Sequence, residues 1–346
     1  MTRITGRLLV TLSVLLAAGG LAGGDVPSGV PGCGDLPEGA GAGDVLTPYP
    51  GMSGSRFLRG ATLDLAGADP ATLDARLRAM RDRYRIDTVS LYRVDAPDPL
   101  FAALGRLGMT AVLRLEEYDP DSFAFTGADV DRLLARYAGL LARAAAPVNR
   151  ERVAYLAVNM PLDDPRVQAR LGGANSPLSI ERQAAYASAV VAGLRRSAPG
   201  LPIYLGVFYG WDGGFRPPSY LPAGADGYFL TSYSYPGQRA PGRHDDDAAL
   251  IDADRRRAVM RRFLDQYGDA PVVVEYGVQT ADRHGDRWPA QTAGLVADRA
   301  AKQRALVATT RFYCAGYPSV RGTMYFGFNI VKTEGEPPAA VDFALS

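Results

Sequence analysis

Beyond Phe57 the chain alternates short apolar runs with longer amphipathic stretches. The apolar runs are Ala61–Leu65, Thr88–Tyr92, Thr110–Leu115, Val153–Val158, Ile203–Phe208, Gly227–Ser232, Val272–Glu275 and Thr323–Phe328. Runs of this length, rich in β-branched and aliphatic residues, read as strands buried on both faces. Between them, apolar residues recur at helical spacing. Asp69 and Pro70 form an N-cap and first-turn pair, followed by Leu73, Leu77, Met80 and Tyr84. Asp98 and Pro99 repeat that device, and Gly108 supplies a C-terminal stop. Val130, Leu133, Leu134, Tyr137 and Leu141 form another stripe, as do Val259, Met260, Phe263, Leu264 and Tyr267. Further helices are predicted to start near Ser179 and to run from about Gln291 to Phe312. The Pro-rich fifth connection, Gly213 to Asp226, is expected to carry little helix. Eight strands in strict alternation with helices predict one closed (β/α)8 TIM barrel over residues 56–346.

The first 55 residues follow a different pattern. Arg3 and Arg7 precede an apolar stretch from Leu8 to about Ala22, which reads as a signal peptide over residues 1–24. Gly19 and Gly20 interrupt that stretch, which is short for a bilayer span. Residues 25–55 are Gly/Pro-rich and aperiodic, as expected of a linker. A secreted or extracytoplasmic protein is therefore expected, with no stable membrane span once the signal is cleaved. Cys33 follows Val30-Pro31-Gly32, a poor lipobox, so a lipoprotein anchor is the less favoured alternative. Cys33 and Cys314 both map toward the N-terminal mouth of the barrel, where a disulfide would tether the linker.

Composition narrows the chemistry. The 346-residue chain has a net charge of +1, so nothing in its global balance points to nucleic acid. Two histidines and two cysteines argue against a His-rich metal centre or a zinc module. No Walker loop, dinucleotide fingerprint or nucleophile-elbow motif is present, and no cofactor is expected. Carboxylate, hydroxyl and aromatic side chains remain. Among them Glu275 stands out, as the single ionisable residue ending the apolar run Pro271-Val272-Val273-Val274-Glu275-Tyr276-Gly277. Strand C-termini are where such barrels build their sites, and a buried carboxylate is costly unless paired or used.

The segment Val272-Val273-Val274-Glu275-Tyr276-Gly277 resembles the seventh-strand nucleophile motif of the clan A glycoside hydrolases, the cellulase-like barrels. The resemblance runs in strand order from about Phe57 to the C-terminus. It implies Glu275 as the nucleophile and Arg93, in Leu91-Tyr92-Arg93-Val94, as its support. It also implies Tyr233 or Tyr235 of the sixth strand as a contact to that carboxylate. Asn159 would bond the hydroxyl beside the reacting carbon. Phe326 or Phe328 takes the place of the eighth-strand tryptophan that serves as a sugar platform. One departure is large. The fourth strand of that family ends Asn-Glu-Pro, with the glutamate as acid/base, whereas this chain has Asn159-Met160-Pro161. A thioether donates no proton, and general acid assistance contributes about 10²–10⁴-fold.

A displaced acid is therefore expected. Glu116 is favoured because Arg114 and Glu116 share one face of the third strand, and Asp163 is the second choice. Glu117, Asp164, Asp212 and Asp64 are further carboxylates at strand ends. Tyr209, Trp211, Tyr233, Tyr235 and Trp288 fall in top-face loops, where aromatic rings suit stacking on sugars. His244 and His284 lie in such loops too and read as solvated residues, with a loop metal at His244 as a remote alternative. The expected partner is a β-linked glycan or glycoside. Three readings stay open: a hydrolase working through Glu275, a catalytically silent barrel that binds carbohydrate or a cell-surface partner, and an unrelated barrel hydrolase in which Glu275 coincides by chance.

Overall fold

The computed structural model describes residues 57–63, 65, 70–92, 94, 96–116, 119, 121–160, 165–173, 176–209, 215–216, 221–232, 253–277, 299–327, 331–334 and 339–342. The strands are β1 (Leu58–Thr62), β2 (Thr88–Leu91), β3 (Thr110–Leu115), β4 (Val153–Val158), β5 (Ile203–Tyr209), β6 (Phe215–Arg216), β7 (Gly227–Thr231), β8 (Val272–Tyr276), β9 (Val320–Tyr325), β10 (Val331–Glu334) and β11 (Ala339–Asp342). The helices are α1 (Pro70–Tyr84), α2 (Pro97–Leu107), α3 (Gly127–Ala145), α4 (Pro147–Arg150), α5 (Pro165–Arg170), α6 (Pro177–Ser197), α7 (Ala253–Tyr267) and α8 (Arg299–Gly316).

Eight strands pair in parallel in the order β4-β3-β2-β1-β9-β8-β7-β5, and a β4–β5 pairing closes the ring. The structure is thus the (β/α)8 barrel that the alternation predicts. The short β6 adds antiparallel to the end of β5, at Phe208↔Arg216 and Tyr209↔Phe215. It lies in the connection expected to carry little helix. β10 and β11, absent from the sequence reading, pair as a separate hairpin.

Strand alternation sorts the core into two compartments. Outward residues such as Ala61, Val89, Leu113, Leu156 and Val274 pack in one cluster with helix residues that include Leu77, Leu104, Val190 and Met260. Inward residues Val112, Tyr155, Ala157, Phe229, Val273 and Met324 fill the barrel. Tyr155 stacks against Tyr204 at 4.5 Å between centroids and against Phe229 at 6.1 Å.

Two strand boundaries depart from the sequence reading for one reason. β1 starts at Leu58 rather than Ala61, and β9 starts at Val320 rather than Thr323. Each missed segment contains a glycine, which reads as a strand breaker. Inside this barrel the glycine makes room. A Cβ on Gly60 would overlap the Met324 thioether, and one on Gly322 would collide with Leu58. Helix α2 also begins earlier than expected. Pro97 takes its first position, Ala96 precedes it without a side-chain cap, and Asp98 lies in the first turn. Gly108 ends α2 in a left-handed conformation, φ 65°, as a terminal glycine should. Ser176 caps α6 by accepting a bond from the Ser179 amide, 3.1 Å. Cys314 is buried on α8 and disulfide-bonded. Cys33, the other cysteine of the chain, lies outside the described residues.

The Tyr155 hydroxyl is buried in the barrel with no hydrogen-bond partner among the described residues. Removing a desolvated, unpaired hydroxyl relieves a penalty of about 1–3 kcal/mol. Tyr155→Phe should therefore leave stability unchanged or raise it in urea denaturation. A loss of more than ~1 kcal/mol would show that the hydroxyl is satisfied. Burial also pushes the hydroxyls of Tyr155 and Tyr276 upward. A phenol whose folded pKa exceeds its unfolded value, ~10, contributes fully below that pH and loses its contribution as pH rises toward the folded value. The urea midpoint should fall between pH 9 and pH 11, together with cooperative tyrosinate absorbance. A midpoint unchanged over that interval would contradict the burial of these groups.

Candidate active site

Glu275 is the fourth residue of β8, and the strand's alternation turns it inward above Val273. It pairs in register with Thr231 of β7 and Met324 of β9. Its side chain is only 1% exposed. Thr62, the last residue of β1, donates its hydroxyl to Oε2 at 3.2 Å. The guanidinium of Arg114, equally buried, forms an ion pair with the same oxygen. Arg114 Nε donates to Ser90 Oγ of β2 at 2.8 Å. Its planar head lies against the Tyr92 ring at 4.2 Å and the Phe229 ring at 4.7 Å.

Four strands therefore converge on one charge pair. Thr62 and Ser90 stand opposite each other in the β1–β2 register, and Ser90 pairs with Val112, one inward step below Arg114. A charge pair this deep persists only where hydrogen bonds occupy its remaining lone pairs and protons. Thr62 and Ser90 supply such bonds, and the two rings add cation–π contact around the guanidinium.

Arg93, assigned from the sequence as the support for Glu275, lies outside the described residues. Among the described residues the guanidinium on Glu275 belongs to Arg114. Thr62, Ser90 and Arg114 were not read as site residues. A signal existed: each is a polar residue at an inward position of a mostly buried strand, which demands a partner.

Glu116 sits one inward step above Arg114, just past the end of β3, and is half-buried. The Tyr137 hydroxyl on α3 fixes its backbone twice, accepting from the Glu116 amide at 3.2 Å and donating to the Glu116 carbonyl at 2.9 Å. Asn159, following β4, donates from Nδ2 to Glu116 Oε2 at 3.4 Å. The structure thus brings together two of the predicted residues, Glu116 and Asn159. Met160 is buried and packs with the outer core cluster. Phe326, read as a sugar platform, is also buried, 2% exposed, and its amide donates to the Tyr276 carbonyl at 2.7 Å. Only the backbone of Tyr209 is described, as the last residue of β5. Asp163, Trp211, Tyr233, Tyr235, Phe328, Trp288, His244 and His284 lie outside the described residues, as do Glu117, Asp164, Asp212 and Asp64. Among the described residues no helix is long and apolar enough to cross a membrane.

The sequence matches no protein-family model and no curated protein. Solved structures match through the fold. Virulence factor SghA from Agrobacterium tumefaciens is 12% identical, with a TM-score of 0.54 over 84% of this chain and 91% of that one. Bacteroides uniformis β-glucuronidase 2 is 14% identical, with a TM-score of 0.55, over 78% of this chain and 30% of that one. An exo-β-1,4-mannosidase from Opitutaceae bacterium strain TAV5 is 14% identical, with a TM-score of 0.51, over 78% of this chain and 51% of that one. The chain is therefore similar in architecture to glycoside hydrolases. It spans nearly the whole length of SghA but under a third of the glucuronidase.

The charge pair makes a stability prediction of its own. Glu275→Ala leaves the Arg114 cation buried opposite an empty site and should cost about 3–5 kcal/mol in urea unfolding. Replacing both partners, Glu275→Leu with Arg114→Met, should recover most of that loss. If the double variant is as unstable as the sum of the single ones, the two side chains do not act as a pair.

Proposed function

We propose that the chain is an exported glycoside-hydrolase-like barrel that acts on a β-linked glycan, with Glu275 as the attacking carboxylate. The observation that carries this reading is the cradle around Glu275. Arg114 and Thr62 both bond its Oε2 at the C-terminal end of a barrel strand. An arginine and a hydroxyl donor favour the ionised carboxylate, which is the form a nucleophile needs. The β-glycosidases among the structural neighbours support this reading through shared architecture.

Retaining hydrolysis proceeds in two steps. The Glu275 carboxylate attacks the anomeric carbon, the glycosidic C–O bond breaks, and the departing oxygen takes up a proton. Water then attacks the same carbon, the ester to Glu275 breaks, and the deprotonated acid takes the proton of that water. Met160 cannot give or take that proton. Glu116 is the donor best supported by position, on the same strand face as Arg114 and bonded to Asn159. Asp163 is the second candidate. Export, residues 1–24 as signal and the Cys33–Cys314 bond belong to the same proposal.

A second reading has its own support. Met160, buried in the core at the place of the missing acid, suits a barrel that binds glycan and no longer cleaves it. One experiment on the wild-type protein separates the two. A panel of 2,4-dinitrophenyl 2-deoxy-2-fluoro-β-glycosides needs no acid for departure and should label Glu275 covalently, as read by peptide mass mapping. The matching nitrophenyl glycosides and salicin should be hydrolysed. Label on another carboxylate would overturn the assignment. Glycan binding with neither label nor turnover would establish the binder.

A further inference from the structure

Resting on that reading, we infer that Tyr137 is a positioning residue that fixes Glu116 as a relocated proton donor. The two bonds from the Tyr137 hydroxyl fix the Glu116 peptide unit on both sides, at 3.2 and 2.9 Å. With the backbone held, the carboxylate has χ freedom only, and Asn159 Nδ2 restrains that at 3.4 Å. Asn159 therefore connects Glu116 to the end of β4, the strand that would ordinarily carry the acid.

The described residues just before α3 are also held in place. Phe125 holds a left-handed backbone, φ 58°, which a bulky residue adopts only where its surroundings impose it. Its ring is locked edge-on against Phe123 at 4.8 Å and against Tyr186 of α6 at 5.6 Å. Asp129 Oδ2 on α3 accepts from the Ala124 amide at 3.2 Å and from the Thr126 amide at 2.8 Å. Arg170 of α5 donates to the Phe123 carbonyl at 2.7 Å. Three helices thus brace residues 123–126. Backbone strain and side-chain bracing of this kind are concentrated where a group must be presented in one geometry.

The test is leaving-group dependence. Glu116→Gln should lower kcat/KM on alkyl β-glycosides by about 10²–10⁴-fold and leave kcat/KM on 2,4-dinitrophenyl glycosides nearly unaffected, while kcat on the latter falls because the second step loses its base. Tyr137→Phe keeps the ring and removes only the hydroxyl that grips the Glu116 peptide. It should show the same selectivity at smaller size, about 10–10²-fold on alkyl glycosides alone. A merely structural role would lower both substrate classes equally. Equal loss on both, or no loss on either, overturns the inference while covalent labelling of Glu275 keeps the hydrolase reading. Absence of both label and turnover in the wild type overturns the two together.

Discussion

An arginine and a glutamate, both withdrawn from water inside the barrel, set the terms for everything at its C-terminal mouth. The Arg114–Glu275 pair could not persist in an apolar barrel by Coulomb attraction alone, since desolvating each ion costs several kcal/mol. It persists because β1 and β2 each bring a hydrogen-bonding group to the pair. Thr62 bonds the carboxylate, Ser90 bonds the guanidinium, and Tyr92 and Phe229 sandwich the cation. Three strands are thereby tied to β8 through polar contacts as well as through the surrounding helices.

The interior below that pair has the opposite character. Val112, Tyr155, Phe229, Val273 and Met324 fill it, and glycines on β1 and β9 leave space for the larger side chains. Above the pair, Glu116 and Asn159 continue the polar column toward the rim. Glu275, ion-paired at depth, and Glu116, half-buried just past β3, thus occupy two different environments.

Much of this was legible along the chain. The strand–helix alternation led to the closed barrel, and the lone acid ending Val272-Val273-Val274 marked the inward carboxylate of β8. Arg114 and Glu116 share one strand face by alternation, and Glu116 lies just past the end of β3. Misreadings came where a residue's local preference and its tertiary role disagree. Gly60 and Gly322 look like breaks in isolation and are strand residues in the barrel. Asp98 looks like an N-cap and lies in the first turn of α2, because Pro97 already occupies the first position. Phe326 looks like a platform for a sugar and is a buried ring.

The sequence by itself determined the barrel, because period-two and period-3.6 patterns are set residue by residue by the backbone. It also determined that one carboxylate would need a reason to be buried, since the cost of desolvation depends only on the group and its setting in an apolar run. The partner of that carboxylate was decided by tertiary structure alone. Arg114 is 161 positions from Glu275 along the chain, and only the closure and stagger of the barrel place them at one height. The grip of Tyr137 on Glu116 is of the same kind: a helix stripe marks Tyr137 as inward, but the atom its hydroxyl reaches depends on how α3 docks against β3.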